Sequence, residues 1–581
     1  MAELSPNIVA NCLNSCARHN PDGEVMVYGE RTVTWGELRT RAMKLAEALI
    51  GLGVQKDDKV TFMFHNTPEF IEINYAVQVA GAVPVPMNYR FTAREVEYQA
   101  NHSDAVVFIY DEHWKDAVEK AAPNLNSVRH FICRGDSGLE RALDYEQTIA
   151  AAPAHDPKIE TEWSDVAVMI YTGGTTGYPK GVMLTYSAHL DMFATLLAGV
   201  VLRAAEIDLS PEQLERIRGT LPMPGLRYFD KLIRTNAAKK IMDRPGTKKN
   251  VVKALKYFLA RPGLSKLNYQ NTVRYTTPSM PFFHDASYQI LMLAVFAGNL
   301  SFVLVPDIKF EPASVLETIE KKQPMFMANV PTGWKKLVSF PDIDKYDISS
   351  VRVGATGAGA CSVELKKKIF EKFPGIIILD MFGQTEMTPI TSFRIDVGPE
   401  SLKERSVGKS IVDVRVVDEQ GNDMPVGEAG EIMYRSSTVM KGYYKDEDKT
   451  REVMEGGWFR SGDLGYLDDE GEVRLIDRKK ECINTGGEKV FPLEVEEIIH
   501  EHPKVEDVCI IGVPDEEWGS TIRAVVQPKE GENIEEQEII EFCRDKLAGY
   551  KIPRSVVFVN ELPLSPVGKV LRAKIREMYG S

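Results

Sequence analysis

The sequence predicts an α/β protein. Two βα-layered subdomains and a small β-barrel-like subdomain make a large N-terminal domain, and a small α+β domain follows. Three observations carry this. Amphipathic helices alternate with short apolar strands through residues 35–110, and the same rhythm returns after residue 271, as expected for parallel, helix-covered sheets. Between about 396 and 474 the texture changes to short strands and tight turns. The last hundred residues mix helix and strand again. A chain of 581 residues also exceeds what one hydrophobic core usually holds.

Taken in order, Trp35 to Leu52 has helical period and Lys59 to Met63 reads as a strand. Ala80 to Pro86 reads as another short buried strand. Val166 to Ile170 is an apolar run, a buried strand ending in the loop 171–181, YTGGTTGYPKG. Leu300 to Val305, Met325 to Val330, Val351 to Gly354 and Ile376 to Leu379 are the next strand candidates. Glu419-Gln420-Gly421-Asn422 and Asp468-Asp469-Glu470-Gly471 are turn signals of the antiparallel unit. The charged stretch Asp477 to Glu481 sets the predicted domains at 1–476 and 477–581.

Residues 201–270 stand apart as a basic insertion. They carry fifteen Lys/Arg against six Asp/Glu, a local balance of +9 that leaves −23 on the remainder. Lys248 to Leu259 is predicted to be a helix with Val251, Val252, Leu255 and Leu259 inward and Lys249, Lys253 and Lys256 outward. Such a helix is suited to peripheral contact with an anionic membrane or with the phosphates of a bulky substrate, although a solvated cap is the commoner use.

Net charge −14 argues against nucleic acid as a partner. The N-terminus shows no secretory pattern, and the C-terminus no sorting tail. Ile290 to Pro306 suits a buried helix and strand better than a membrane span. A cytoplasmic location is the expectation. The seven cysteines are scattered, with no second Cys/His pair near Cys12 and Cys16 to complete a zinc site, so reduced thiols are expected.

The loop at 171–181 is the most informative stretch. Its four glycines can turn backbone N–H groups toward an anion, Thr172, Thr175 and Thr176 add hydroxyl donors, and Lys180 adds a point charge. It is not a Walker A sequence, because its lysine lies between Pro179 and Gly181. Two further segments, Asp380 to Met387 (DMFGQTEM) and Gly457 to Gly465 (GWFRSGDLG), join it, with Asp477-Arg478 and Pro563 to Lys569 (PLSPVGK). In this order and spacing the five resemble the motifs of the adenylate-forming superfamily: acyl-CoA synthetases, peptide-synthetase adenylation domains and luciferases. The resemblance spans nearly the whole chain apart from the insertion.

The resemblance implies that a substrate carboxylate attacks the α-phosphate of ATP, giving an acyl-adenylate and pyrophosphate. Both reactants are anionic, so the site must neutralise and position them, and no protein nucleophile is required. It implies that Thr172, Gly173, Gly174, Thr175, Thr176, Gly177 and Lys180 hold the β- and γ-phosphates. Glu386 would bind Mg²⁺ and Thr385 the α-phosphate. Phe382, where the family usually has tyrosine, would stack on adenine beside Gly383. Gly357, Ala358 and Gly359 would form the adenine wall, with Ser362 to Leu365 opening the next helix. Asp463 would take the ribose hydroxyls with Arg478 beside it, and Lys569 would bridge carboxylate and α-phosphate. A mobile C-terminal domain would turn about Lys480 between half-reactions, bringing Gly486 and Gly487 to the coenzyme A step.

The family's acyl pocket follows the segment Met280 to His284, so His284 and Tyr288 are the candidate acyl residues, with Val330 to Trp334 on the same side. His284 is nearly as well explained as a packed core histidine. Tyr288 lies near where long-chain synthetases place a gating tryptophan. Asp285 is the only nearby candidate for an amino-acid clamp. The implied reaction is an ATP-dependent carboxylate–CoA ligation on an apolar, fatty acid. An aryl or alicyclic acid, or a carrier protein in place of CoA, are the alternatives. A catalytically dead scaffold is disfavoured by intact Lys180, Glu386, Asp463 and Lys569. Oligomeric state is not legible.

Overall fold

The computed structural model describes residues 5–172, 179–204, 246–260, 272–485, 488–515, 518–544, 546–565 and 569–580. These fall into two compact units: residues 1–402 with 436–452, and residues 403–435 with 453–581.

In the first unit, five parallel strands form one sheet in the order Val83–Pro86, Lys59–Met63, Ala105–Asp111, His130–Arg134, Ala142–Asp144. They are apolar runs because parallel strands are covered on both faces. Phe108, Tyr110, Phe131 and Met63 pack there with Val96 and Ala100 of the helix Ala93–His102. A second sheet places Glu24–Tyr28, Leu300–Leu304, Val273–Thr276, Phe326–Asn329, Val353–Thr356 and Ile377–Gly383 side by side in parallel. Antiparallel strands Arg31–Thr34 and Ile390–Asp396 pair with the outer two strands of this parallel run, Glu24–Tyr28 and Ile377–Gly383. All four strands expected between Leu300 and Leu379 are present, within a few residues.

The expected helices and strands of 35–110 are also present as Trp35–Gly51, Lys59–Met63 and Val83–Pro86. Ile290 to Pro306 divides into the end of the helix Asp285–Ala297 and the buried strand Leu300–Leu304. Among the described residues no helix is long and apolar enough to cross a membrane.

As expected, the loop at 171–181 follows a buried strand, Val166–Thr172, and a second strand, Lys180–Thr185, comes after it. The two are antiparallel, with Thr172 opposite Lys180. A short third strand, Gly442–Tyr443, completes this sheet.

The second unit contains the expected antiparallel strands, in the order Asp413–Val417, Gly430–Arg435, Trp458–Leu467, Glu472–Arg478, Ser406–Ser410. Its C-terminal part pairs Val505–Asp515 with Gly519–Pro528 antiparallel, and the latter with Ser555–Phe558 in parallel. Helices Pro492–His500 and Glu536–Arg544 cover that sheet through Val495, Ile499, Ile539 and Cys543.

The predicted helix of the basic insertion is present as Thr247–Leu259, with Leu255 and Leu259 buried and Lys249 and Lys253 exposed. Lys256 differs from expectation. Its ammonium is paired with Asp191 on the helix Tyr186–Ala204, so it fastens the helix to the body of the first unit. Residues 205–245 and 261–271 of the insertion lie outside the described residues.

Candidate active site

On the first unit, the structure brings Lys180 and Glu386 together through a segment that the motif reading did not single out. Residues 441–446 run beside the strand Lys180–Thr185: Lys441 N–H donates to Met183 O at 2.9 Å and Tyr444 N–H to Gly181 O at 2.8 Å. Tyr443 O–H then donates to Glu386 Oε1 at 2.7 Å. Lys180 Nζ sits 5.2 Å from the centre of the Tyr443 ring and 3.3 Å from Asp446 Oδ2. Lysine, carboxylate and aromatic face thus form one cluster; desolvation pushes the Asp446 carboxyl up, but the Lys449 N–H and Lys180 together outweigh it and hold it below the usual carboxylate range. Thr172 ends the paired strand opposite Lys180. Gly173, Gly174, Thr175, Thr176 and Gly177 lie outside the described residues.

Glu386 stands in a single 3₁₀ turn, Thr385–Met387, at the end of a pinched loop. Gln384 N–H donates to Pro389 O at 2.8 Å, and Thr388, at φ 61°, donates its hydroxyl to Thr438 O at 2.5 Å. The pinch explains Gly383, since a Cβ there would fall 1.8 Å from Pro389 O. Gly357, just past the neighbouring strand, is also close-packed, since a Cβ there would lie 2.8 Å from Met381 O. Gly357 is therefore beside Met381, the residue before Phe382, and Gly359 faces Pro331. Ala358 holds φ 62°, a left-handed conformation that costs on the order of 1 kcal/mol for a residue with a Cβ. Ser362 caps the helix Val363–Lys372, its Oγ accepting from Leu365 N–H at 3.2 Å. Behind this loop Lys366 is buried between Asp380 and Asp396, and Arg394 Nε donates to Asp396 at 2.8 Å.

Asp285 and Tyr288 sit among buried polar side chains, and His284 precedes them half-buried. His284 caps the helix Asp285–Ala297, its Nδ1 accepting from Ala286 N–H at 3.3 Å. Tyr288 is fully buried and donates to Asn74 Oδ1 at 2.6 Å. Asp285 accepts from Gln289 Nε2 at 2.5 Å, and Gln289 Oε1 meets His189 Nδ1 at 2.8 Å. Burial pushes the Asp285 carboxyl well above the usual carboxylate range, with Gln289 opposing and Glu386 adding to the rise. Burial likewise pushes His189 down to about 4. Trp334 is buried, its Nε1–H donating to Ala355 O at 3.0 Å.

The second unit gathers Asp463, Arg478, Lys480 and Lys569. Asp463 and Arg478 are register partners on adjacent strands, with Arg478 Nε 2.7 Å from Asp463 Oδ1. Arg478 also donates to Ser461 O at 3.2 Å. Lys569 keeps exposed surface but is crowded: desolvation first, then the Arg478 and Lys480 cations, push its ammonium down to about 8, with Asp463 opposing. Its N–H donates to Ser565 Oγ at 3.0 Å. Lys480 lies in a short 3₁₀ turn, Lys479–Glu481, between the strands Glu472–Arg478 and Ile483–Thr485. Its own ammonium is lowered by desolvation, Glu481 opposing and Arg478, Arg572 and Arg576 adding. Gly486 and Gly487 lie outside the described residues.

Tyr443 and Asp446 are the residues that motif reading missed. The faint signal was Gly442-Tyr443-Tyr444, an aromatic pair in a stretch otherwise rich in charge.

Comparison with known proteins supplies the family. The pattern of the AMP-binding enzyme family matches residues 13–220 and 246–444, and that of the AMP-binding enzyme C-terminal domain matches 494–569. The chain is 29% identical to a long-chain-fatty-acid–CoA ligase of Bacillus subtilis, over 99% of this chain and 95% of the relative. It is also 29% identical to a feruloyl-CoA synthase of Amycolatopsis, over 97% of each. Its fold matches the solved structure of an anthranilate CoA ligase in complex with anthranoyl-AMP at a TM-score of 0.79, with 22% identity and coverage of 99% and 98%. With motifs, fold and sequence family in agreement, the chain belongs to the AMP-binding enzyme family and has acyl-CoA synthetases among its relatives.

Proposed function

We propose that this protein activates an apolar carboxylic acid, best read as a fatty acid, as its acyl-adenylate and transfers the acyl group to coenzyme A, releasing AMP and pyrophosphate. The observation that carries the reading is the division of charge. Lys180 and Glu386 share one cluster around Tyr443, while Lys569 stands beside the Asp463–Arg478 pair.

In this reading Thr172 and Lys180 hold the phosphates of ATP that leave as pyrophosphate, with the residues between them. Thr385 donates to the α-phosphate, Phe382 stacks on adenine between Gly383 and the wall of Gly357 to Gly359, and Asp463 accepts from the ribose hydroxyls. Lys569 holds its proton between the carboxylate and α-phosphate oxygens as they close, neutralising charge that grows there. Glu386 suits Mg²⁺, a hard cation that takes one or two carboxylates together with phosphate oxygens. Tyr443 occupies one carboxylate oxygen and so orients the other. When bound, the ion would neutralise phosphate charge.

We further propose that residues 477–581 act as a lid hinged at Lys480, with Gly486-Gly487 serving the coenzyme A step. Peripheral membrane contact through 201–270 is a subsidiary proposal, supported by the exposed Lys249 and Lys253.

A second reading is favoured by one observation. Tyr288 is locked against Asn74 among buried polar groups, which suits the closed end of a short pocket for an aryl or alicyclic acid better than a movable gate. CoA-dependent AMP release across straight-chain, aromatic and alicyclic acids decides between them. Turnover with long-chain acids supports the first reading; turnover restricted to ring acids replaces it with the second. Thioester formed only on an acyl carrier protein would overturn the choice of acceptor.

A further inference from the structure

We propose that Tyr98 and His102, one turn apart on the helix Ala93–His102, are positioning residues for nucleotide: they hold Pro179 and Tyr171, at the two ends of the phosphate loop, from outside its sheet. The inference rests on reading Thr172 to Lys180 as the phosphate grip, and it assigns that grip a second support.

Residues four apart on a helix share a face, and here both side chains reach the same hairpin. Tyr98 O–H donates to Pro179 O at 2.8 Å. His102 Nδ1 lies 2.7 Å from the Tyr171 hydroxyl. The Tyr98 and His102 rings are 5.4 Å apart, and the edge of Tyr171 meets His102 at 5.7 Å. The contact at Pro179 is the more telling. Proline has no N–H to give a ladder, so this residue is fixed through its carbonyl, and the peptide plane leading into Lys180 is fixed with it.

The helix can serve as a platform because its other face is built into the core. Val96, Gln99 and Ala100 are buried, and Gln99 Nε2 donates to Pro86 O at 3.3 Å. A capping box of Thr92 and Glu95 fixes its start. Beyond His102, Asp104 accepts from Tyr444 O–H at 2.8 Å and pairs with Lys445 at 2.7 Å. Tyr444 N–H returns to Gly181 O. The contacts therefore close a ring: helix, loop ends, and the segment 441–446 that also carries Tyr443 and Asp446. A shift of the helix would pass through Pro179 to Lys180, whereas His284 and Tyr288, the acyl-side candidates, lie on and beside a different helix.

The test is kinetic, on the full-length enzyme, with Tyr98→Phe, His102→Ala, and Asn101→Ala as a control on the same helix. Each of the first two is expected to raise KM for ATP about three- to tenfold, the cost of one hydrogen bond. KM for the acid, and thioester formation from supplied acyl-adenylate, should stay unchanged. His102→Asn, which returns an amide near the place of Nδ1, should recover much of the loss, whereas a merely structural defect would not be rescued this way. Calorimetric titration with ATP gives the same comparison without turnover, so an inactive wild type would count against the proposed reaction and still leave this inference testable. Unchanged ATP affinity in variants that melt like wild type overturns it. So does an equal change in KM for the acid.

Discussion

Lys180 and Lys569 are both assigned to anionic oxygens of one nucleotide, yet their surroundings differ in kind. Lys180 has a carboxylate, Asp446, at 3.3 Å and an aromatic face, Tyr443, at 5.2 Å. Its charge is matched within its own unit. Lys569 has the Arg478 and Lys480 cations for neighbours and Asp463 opposing them, and Asp463 is already paired with Arg478 at 2.7 Å. A cation so placed gains most from an arriving anion. In the proposed reaction the difference separates a phosphate grip from a catalyst: the first lysine has its charge matched before substrate arrives, and the second has it matched by the substrate.

The comparison can be broken most forcefully at Lys569. Lys569→Ala is expected to reduce acid-dependent ATP–pyrophosphate exchange by about 10²- to 10³-fold, the range for removing a preorganised charge from a transition state. Thioester formation from supplied acyl-adenylate should survive. Equal loss of both half-reactions would remove the special role given to this lysine. Glu386→Gln should come next, lowering exchange about 10²-fold and weakening its dependence on Mg²⁺ concentration; an unchanged metal dependence would contradict the assignment.

A third test sharpens what the protein frame contributes. Lys366→Met leaves the buried Asp380 without its cation while Asp396 keeps Arg394. Breaking such a pair costs about 3–5 kcal/mol, read as a fall in the denaturation midpoint. A midpoint near wild type would show that the network relaxes. The smallest effect is expected at Tyr443→Phe, which removes one hydrogen bond to Glu386 and keeps the ring under Lys180: a loss of about three- to tenfold in exchange. A loss as large as that of Glu386→Gln would mean the hydroxyl does more than orient the carboxylate.

The fold was legible where periodicity was strong. Lys59 to Met63 and the four strands from Leu300 to Leu379 are apolar runs bounded by turn signals, and each is a strand. The motif residues Glu386, Asp463 and Lys569 could be named because a family pattern fixes them by order. What surrounds them could not. Tyr443 and Asp446 meet Lys180 only because the chain returns from the second unit to the first for residues 436–452, a pairing of distant segments that no local pattern records. Lys256 reads as an outward charge by helical period; its pairing with Asp191 depends on which helix lies beneath it. Tyr98 and His102 look like ordinary surface positions of an amphipathic helix until the loop ends are in place.

The pH dependence of exchange tests the contrast between the two lysines most directly. Lys569 has its proton affinity lowered to about 8, so its charge is present below that pH and lost as pH rises through it. For kcat/KM with respect to ATP, which reports the free enzyme, the account predicts a fall above pH about 8 in the wild type. Lys569→Arg, whose charge persists, should lose that limb. A wild-type profile flat to pH 10, or a limb that persists in Lys569→Arg, would contradict the claim that Lys569 waits for its substrate as an unsatisfied cation.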